Sequence, residues 1–222
     1  MGLVQYNEIM ITIFGAPGAG KTMQGQMLAR KYDWQWVSYR DLLLNLHDKD
    51  ITYALEHGLF IDDNKATKVV GAMLERLKGS SRRVMHASDG RLYTVSGKPR
   101  EVVLDGFPAD YRQLKWMIGN KELGTLTGAV VLRVPRGELW RRLVERKRVD
   151  DTRATIERRQ DAYDRNITGI IKMLSMNGIE VREVDGCNAP EDVLKRIEEV
   201  LADWGLIAEK QYAKIVAPKK LA

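Results

Sequence analysis

The chain has 222 residues, 44% of them hydrophobic and 30% charged, with a formal net charge of +6. It lacks the ~18 consecutive apolar residues of a membrane-spanning helix, residues 1–7 lack the basic-then-apolar order of a secretory leader, and the single Cys187 leaves no internal disulfide, so a globular cytoplasmic protein is expected. The excess of positive charge fits either a nucleic-acid partner or arginines gathered around a polyphosphate.

Ile9-Met10-Ile11-Thr12-Ile13-Phe14 is short, apolar and β-branched, which predicts a buried strand. Gly15-Ala16-Pro17-Gly18-Ala19-Gly20-Lys21-Thr22 follows, and Met23, Met27 and Leu28 then keep helical spacing. Strand, glycine loop and helix are the context in which G-x-x-x-x-G-K-[ST] is a phosphate loop. Gly15, Gly18 and Gly20 let backbone N–H groups turn inward around an anion, and the helix N-terminus adds free donors and a positive dipole end. Lys21 supplies a point charge for the β- and γ-phosphates, and the Thr22 hydroxyl is placed for Mg²⁺. The expected nucleotide contacts are Gly15, Gly18, Ala19, Gly20, Lys21, Thr22 and Met23, with ATP and Mg²⁺ bound.

Trp34 to Ser38 predicts a second strand, with Ser38 capping a helix opened by Tyr39-Arg40-Asp41-Leu42-Leu43-Leu44. Helical spacing resumes from Ile51 to His57 and stops at Gly58. Asp62-Asp63 begins a helix carrying Val69, Val70, Met73, Leu74 and Leu77 as far as Gly79. Residues 80–100 are basic and partly alternating around Asp89-Gly90, which predicts an exposed β-arm. Glu101 to Asp105 is a buried strand ending on an acid, followed by Gly106-Phe107-Pro108 and a helix from Asp110 that buries Leu114, Met117 and Ile118. Gly128 to Val134 is the next strand, and Arg136 to Arg148 a helix with Leu139, Leu143 and Val144 inward. Asp150-Asp151 is placed to cap a long helix striped by Tyr163, Ile167, Ile170, Ile171 and Leu174. Ile179 to Val184 closes the strands, and a last helix carries Val193, Ile197, Val200, Leu201 and Trp204 before a basic tail. Alternating strands and helices imply an α/β domain with a parallel sheet and right-handed crossovers.

Asp105 sits at the carboxyl end of a buried strand, where α/β sheets place ligands. A carboxylate there suits Mg²⁺ or its bound waters, the alternative being a cap on the next turn. Arg142 and Arg146 share one helix face, and Arg148, Arg158 and Arg159 follow closely. Most arginines of a basic helix are solvated. Phosphoryl transfer, however, spreads charge over the equatorial oxygens, so some of Arg142, Arg146, Arg148 and Arg159 are expected at the phosphates. His47, His57 and His86 lack metal-ligand spacing, so no zinc site is expected.

Several of these stretches together resemble the adenylate kinases and related nucleoside monophosphate kinases. They are Gly15 to Lys21 with Gln24, Leu104-Asp105-Gly106-Phe107-Pro108 with Gln113, Arg142 and Arg146, Arg148-x-Asp-Asp with Arg159, and Val184-Asp185-Gly186. The likeness covers about residues 9–203. It implies a P-loop kinase core of five parallel strands with helices on both faces. It further implies mobile acceptor-binding helices at 39–79, a short lid at 147–150, the 80–100 arm as an insertion and 205–222 as a basic tail. The activity implied is ATP-dependent phosphoryl transfer to a nucleoside monophosphate, AMP foremost, by a monomer. Lys21, Arg146, Arg148 and Arg159 would stabilise the migrating group, with Arg142 and Arg146 on the nucleotide. Tyr39, Arg40, Ile61, Gly106, Arg112 and Gln113 would form the acceptor site, and Thr22 and Asp105 the metal site.

Two positions depart from the family. The arginine of Thr-Gly-Asp-x-x-Arg is Leu44 here, and the arginine after Gly-Phe-Pro is Ala109. Arg40 and Arg112, or Arg82, Arg83 and Arg91 of the arm, are candidates to replace them. The arm resembles the lid hairpin of long-form adenylate kinases, either by convergence or as a displaced cover for the acceptor site. Two other readings stay open: a P-loop kinase for a different small molecule, or an ATP-binding module associated with nucleic acid and with little turnover.

Overall fold

The computed structural model describes residues 9–79, 82–86, 92–96 and 101–207. Of Gly79 and the strands within 82–96 it describes the backbone alone. The elements run β1 (Ile9–Gly15), α1 (Lys21–Tyr32), β2 (Gln35–Ser38), α2 (Tyr39–Leu44), α3 (Lys49–His57), α4 (Asp63–Gly79), β3 (Arg82–His86) and β4 (Leu92–Ser96). They continue β5 (Glu101–Asp105), α5 (Tyr111–Gly119), a 3₁₀ turn (Lys121–Leu123), β6 (Thr125–Arg133), α6 (Arg136–Arg146), α7 (Arg153–Met176), β7 (Glu180–Asp185) and α8 (Pro190–Asp203).

Strands β2, β5, β1, β6 and β7 lie in that order in one five-stranded sheet, and every neighbouring pair is parallel. A parallel sheet needs cover on both faces, which is why β1, β5 and β6 read as largely apolar runs. Successive side chains alternate between the faces. Met10, Phe14, Val102, Leu104 and Val131 pack toward Val70 and Leu74 of α4, Leu114 of α5 and Ile170 of α7. Ile11, Ile13, Val103, Val130 and Leu132 pack toward Leu28 of α1, Leu139 of α6 and Ile197 and Leu201 of α8. Two contacts seat helical elements closely. A Cβ on Gly25 would lie 2.7 Å from the Trp36 ring, and one on Gly128 would lie 2.4 Å from Trp204, so only glycine fits either place.

Several sequence expectations shift. β6 starts at Thr125, earlier than Gly128. Helix α6 stops at Arg146, because Lys147 takes a left-handed conformation with φ 52°. Leu139 and Leu143 form its buried face, whereas Val144, one position round the helix, is 53% exposed. Asp150-Asp151 does not cap α7; Thr152 does, accepting from the Thr155 N–H at 3.2 Å. The two carboxylates are instead taken up by arginines. Ser38 and Gly58 cap as the sequence predicts, and Asp110, where the sequence starts a helix, is the N-cap of α5.

The arm is a two-stranded antiparallel ribbon, β3 with β4, and neither strand joins the main sheet. Its register runs from Arg82 opposite Ser96 to His86 opposite Leu92. Residues 87–91, with Asp89-Gly90 and Arg91, lie outside the described residues, as do the side chains of Arg82 and Arg83 and the tail from 208. Among the described residues no helix is long and apolar enough to cross a membrane.

Candidate active site

The loop between β1 and α1 closes where the sheet's central strand ends. Gly18 has φ 89° and Gly20 φ 96°, in the left-handed region that glycine adopts without strain. Gly18 is also crowded: a Cβ there would meet the Leu139 carbonyl oxygen at 3.0 Å and Leu143 at 3.1 Å. The Ala19 N–H closes the turn onto the Ala16 carbonyl at 3.0 Å. Lys21 folds back over the loop and its Nζ donates to the carbonyls of Gly15 (2.7 Å) and Ala16 (3.2 Å). Loss of water around that ammonium lowers its pKa, Asp105 opposing and Arg146 adding to the effect. Lys21 and Arg146 therefore sense each other's charge. The exposed Met23 lies one residue further along α1.

Parallel pairing of β5 with β1 sets Asp105 beside Ile13, at the mouth of the loop. There the Thr22 hydroxyl donates to Asp105 Oδ2 at 2.6 Å, joining residues 83 apart in sequence. Asp105 is 5% exposed. Burial raises its pKa, although Lys21 and the Thr22 hydrogen bond pull the other way. A hydroxyl and a buried carboxylate meeting beside a phosphate loop are hard oxygen donors of the kind Mg²⁺ takes together with substrate phosphates and water. The donor set therefore fits the metal. Among the described residues no group of three or more His, Cys, Asp or Glu forms a separate metal cluster.

Opposite the loop, the segment 147–152 between α6 and α7 carries Asp150 and Asp151, and guanidiniums from three elements converge on them. Arg146 grips Asp151 with two hydrogen bonds, of 2.9 and 2.8 Å. Arg159 reaches Asp151 at 3.3 Å and Asp150 at 2.5 Å. Arg40, from α2, donates to the same Asp150 oxygen at 2.8 Å. The Arg148 carbonyl accepts from the Asp151 N–H at 3.0 Å, while its guanidinium makes no ion pair with any described residue. Partial burial and the charges of Arg146 and Arg40 lower its pKa, against Asp150 and Asp151. The cluster thus holds an excess of cations whose mutual repulsion an incoming phosphate would relieve. Arg142 stands slightly apart, bonded to Glu138 at 2.7 Å and to the Gly186 carbonyl at 2.9 Å. Gly186 in turn lies against the loop, where a Cβ would come 3.4 Å from the Ala19 carbonyl.

The remaining acceptor candidates divide. Tyr39 and Ile61 are both 9% exposed and pack in the core, Tyr39 with its ring 5.5 Å from that of Phe107. Gly106 has φ 79° and turns the chain out of β5. Gln113 is 1% exposed, and its side chain is occupied internally: Oε1 accepts from the Ala109 N–H at 2.8 Å and Nε2 donates to Asp63 at 3.2 Å. Its amide holds the turn after Phe107-Pro108 against the start of α4. Arg112 lies near Asp63, at 3.3 Å, with its own side chain 78% exposed.

A protein-family model described as an AAA domain matches residues 11–163. An adenylate kinase of Prochlorococcus marinus (strain NATL1A) is 30% identical over 190 residues, covering 83% of this chain and 93% of its own. The chain belongs to the adenylate kinase family. Adenylate kinases of Clavibacter michiganensis subsp. michiganensis and Parabacteroides distasonis are 27% identical over 203 residues and 28% over 209. Those matches cover 88% and 86% of this chain and 94% and 96% of theirs. Of the two positions where the sequence lacks an expected arginine, Leu44 is half-buried and Ala109 is exposed. Sequence reasoning missed that Asp150 and Asp151 organise the arginines. The signal was present in an acidic pair set between two basic runs.

Proposed function

We propose that this protein transfers the γ-phosphoryl group of ATP to a nucleoside monophosphate, with AMP the preferred acceptor, giving two nucleoside diphosphates. The observation that carries the proposal is the convergence of Arg40, Arg146 and Arg159 on Asp150 and Asp151, with the unpaired Arg148 guanidinium in their field and Arg146 within electrostatic reach of Lys21. Phosphoryl transfer asks little of a protein except positioning and charge stabilisation, and this is a constellation of that kind. The phosphate loop binds the donor's phosphates through its backbone N–H groups. Lys21 leaves the Gly15 and Ala16 carbonyls to meet them. Thr22 and Asp105 would hold Mg²⁺, which screens phosphate charge when bound. Arg146, Arg148 and Arg159 face the migrating group. A phosphate acceptor is already ionised at neutral pH, so no general base is required.

Arg40 is the residue we assign to the acceptor phosphate, in place of the guanidiniums lost at Leu44 and Ala109. It projects from the acceptor-side helix α2 into the transfer cluster. Arg112 instead stands exposed on the outside of α5. The test is a panel of AMP, GMP, CMP, UMP and dTMP, each with Mg·ATP, followed by ADP formation. AMP should react fastest. If none is phosphorylated while ATP still binds, the acceptor is not a nucleoside monophosphate, and a different small-molecule acceptor takes its place.

A further inference from the structure

Two parts that the sequence separates by a hundred residues are clasped together. The last carbonyls of a helix have no partner within it. At the end of α3 they find partners on the first two turns of α7. The Leu55 carbonyl accepts from Arg159 Nη2 at 2.5 Å, the Glu56 carbonyl from Thr155 Oγ1 at 3.3 Å, and the His57 carbonyl from Arg158 Nε at 2.8 Å. Two guanidiniums thus sit on the negative end of the α3 dipole. Gly58 makes the approach possible. Its φ is 63°, and a Cβ there would lie 3.1 Å from Arg159 Cγ and 3.2 Å from the Thr155 carbonyl oxygen. Thr155 is 2% exposed, so the joint is closed to water on that side. A second tie runs from Arg40 of α2 to Asp150. One guanidinium, that of Arg159, takes the α3 carbonyl and both aspartates at once.

We propose that this clasp makes Thr155, Arg158 and Gly58 positioning residues for Arg159, and that the acceptor-side helices and the 147–152 segment close as one body. Helix α3 supplies a rigid acceptor for the Arg159 guanidinium, so a movement of the acceptor side carries that guanidinium with it. Acceptor binding and alignment of the phosphoryl-stabilising arginines become a single event. Positive coupling between donor and acceptor follows, because each ligand selects the same closed arrangement. The inference about Arg159 rests on the transfer reading above, whereas the joint itself does not.

The test uses Thr155→Val and Arg158→Ala, singly and together, with Thr155→Ser and Arg158→Lys as conservative partners. In the ligand-free protein, hydrogen exchange should quicken in the double variant across both 49–58 and 147–159, because the clasp opens as a unit. In steady-state assays kcat should fall about fivefold for each lost hydrogen bond, and the lowering of the KM for ATP by saturating acceptor, the mark of the coupling, should shrink with it. Thr155→Ser and Arg158→Lys, which keep a donor, should recover most of the rate. Should the double variant fail to fold, Gly58→Ala forces the two helices apart without removing a donor and should give the same pattern. Exchange that quickens only at the mutated turn, or a kcat that stays at the wild-type level, would overturn the clasp. Absence of transfer by the wild-type protein to every monophosphate would overturn the transfer reading instead, leaving the exchange result to decide the joint.

Discussion

Replacing Arg40 with alanine tests it against Arg112 as the residue that holds the acceptor phosphate. Arg40 pairs with Asp150 at 2.8 Å, with side-chain exposures of 31% and 8%. Asp150 keeps Arg159 at 2.5 Å after the change, so the carboxylate is not stranded without a cation. The stability cost is therefore that of a partly exposed ion pair, about 1 kcal/mol, and not the 3–5 kcal/mol of a broken buried pair. The binding cost is larger. A charge-assisted hydrogen bond to a phosphate contributes about 1.5–3 kcal/mol, which is roughly a 12- to 160-fold rise in acceptor KM. Arg112→Ala is the control. Its side chain is 78% exposed beside Asp63, so the change should cost no more than about 0.5 kcal/mol and leave acceptor KM within about twofold. Initial rates against AMP at saturating Mg·ATP, with denaturant midpoints on the same preparations, measure both. A raised acceptor KM for Arg112→Ala with an unchanged one for Arg40→Ala would refute the assignment.

Asp105→Asn should raise the Mg²⁺ concentration for half-maximal activity by about tenfold or more. Because burial raises the Asp105 pKa in the folded protein above its ordinary 3.8, the folded state holds that proton longer than the unfolded state. The group therefore costs stability as pH rises from 3.8 through its raised value, and metal-free urea midpoints of wild type and Asp105→Asn should diverge over that window in favour of the variant. Gly128→Ala, whose Cβ would fall 2.4 Å from Trp204, should lower stability by about 1–3 kcal/mol through overpacking, read as a drop in Tm. Deleting 82–98 and closing the gap with a short turn should leave the five-stranded sheet folded, since β3 and β4 pair only with each other. Loss of the cooperative transition in that variant would show that the core depends on the arm.

The parts of this fold that were legible in sequence are those with a local cause. The β1–loop–α1 unit is written in a strand, three glycines and a lysine, each with its own backbone requirement. Ser38, Gly58 and Asp110 mark helix ends because capping depends on a few neighbouring atoms. Thr22 and Asp105 are each legible by type and place in the sequence, and their 2.6 Å contact follows once β5 lies beside β1. What was not legible depends on the relative placing of distant helices. Asp150 and Asp151 are good capping residues in isolation, and nothing local says that Arg40, Arg146 and Arg159 will compete for them. Gln113 fits a base-recognising position by resemblance, yet its amide is consumed by Ala109 and Asp63, a contact set by how α4 meets α5. The clasp was hidden for a different reason: its acceptors are backbone carbonyls, which carry no signature in sequence.

The central claim is that a γ-phosphoryl group travels from ATP, held at Lys21, to a nucleoside monophosphate. The most direct measurement follows label from γ-labelled ATP into nucleoside diphosphate, in wild type and in Lys21→Met. Lys21 Nζ bonds only to the Gly15 and Ala16 carbonyls among the described residues, so the variant should stay folded. Losing that cation from a desolvated site should lower transfer at least about a hundredfold. Label appearing in the diphosphate with wild type, and more than a hundredfold more slowly with folded Lys21→Met, is the predicted result. Near-normal transfer by the folded variant would contradict the account.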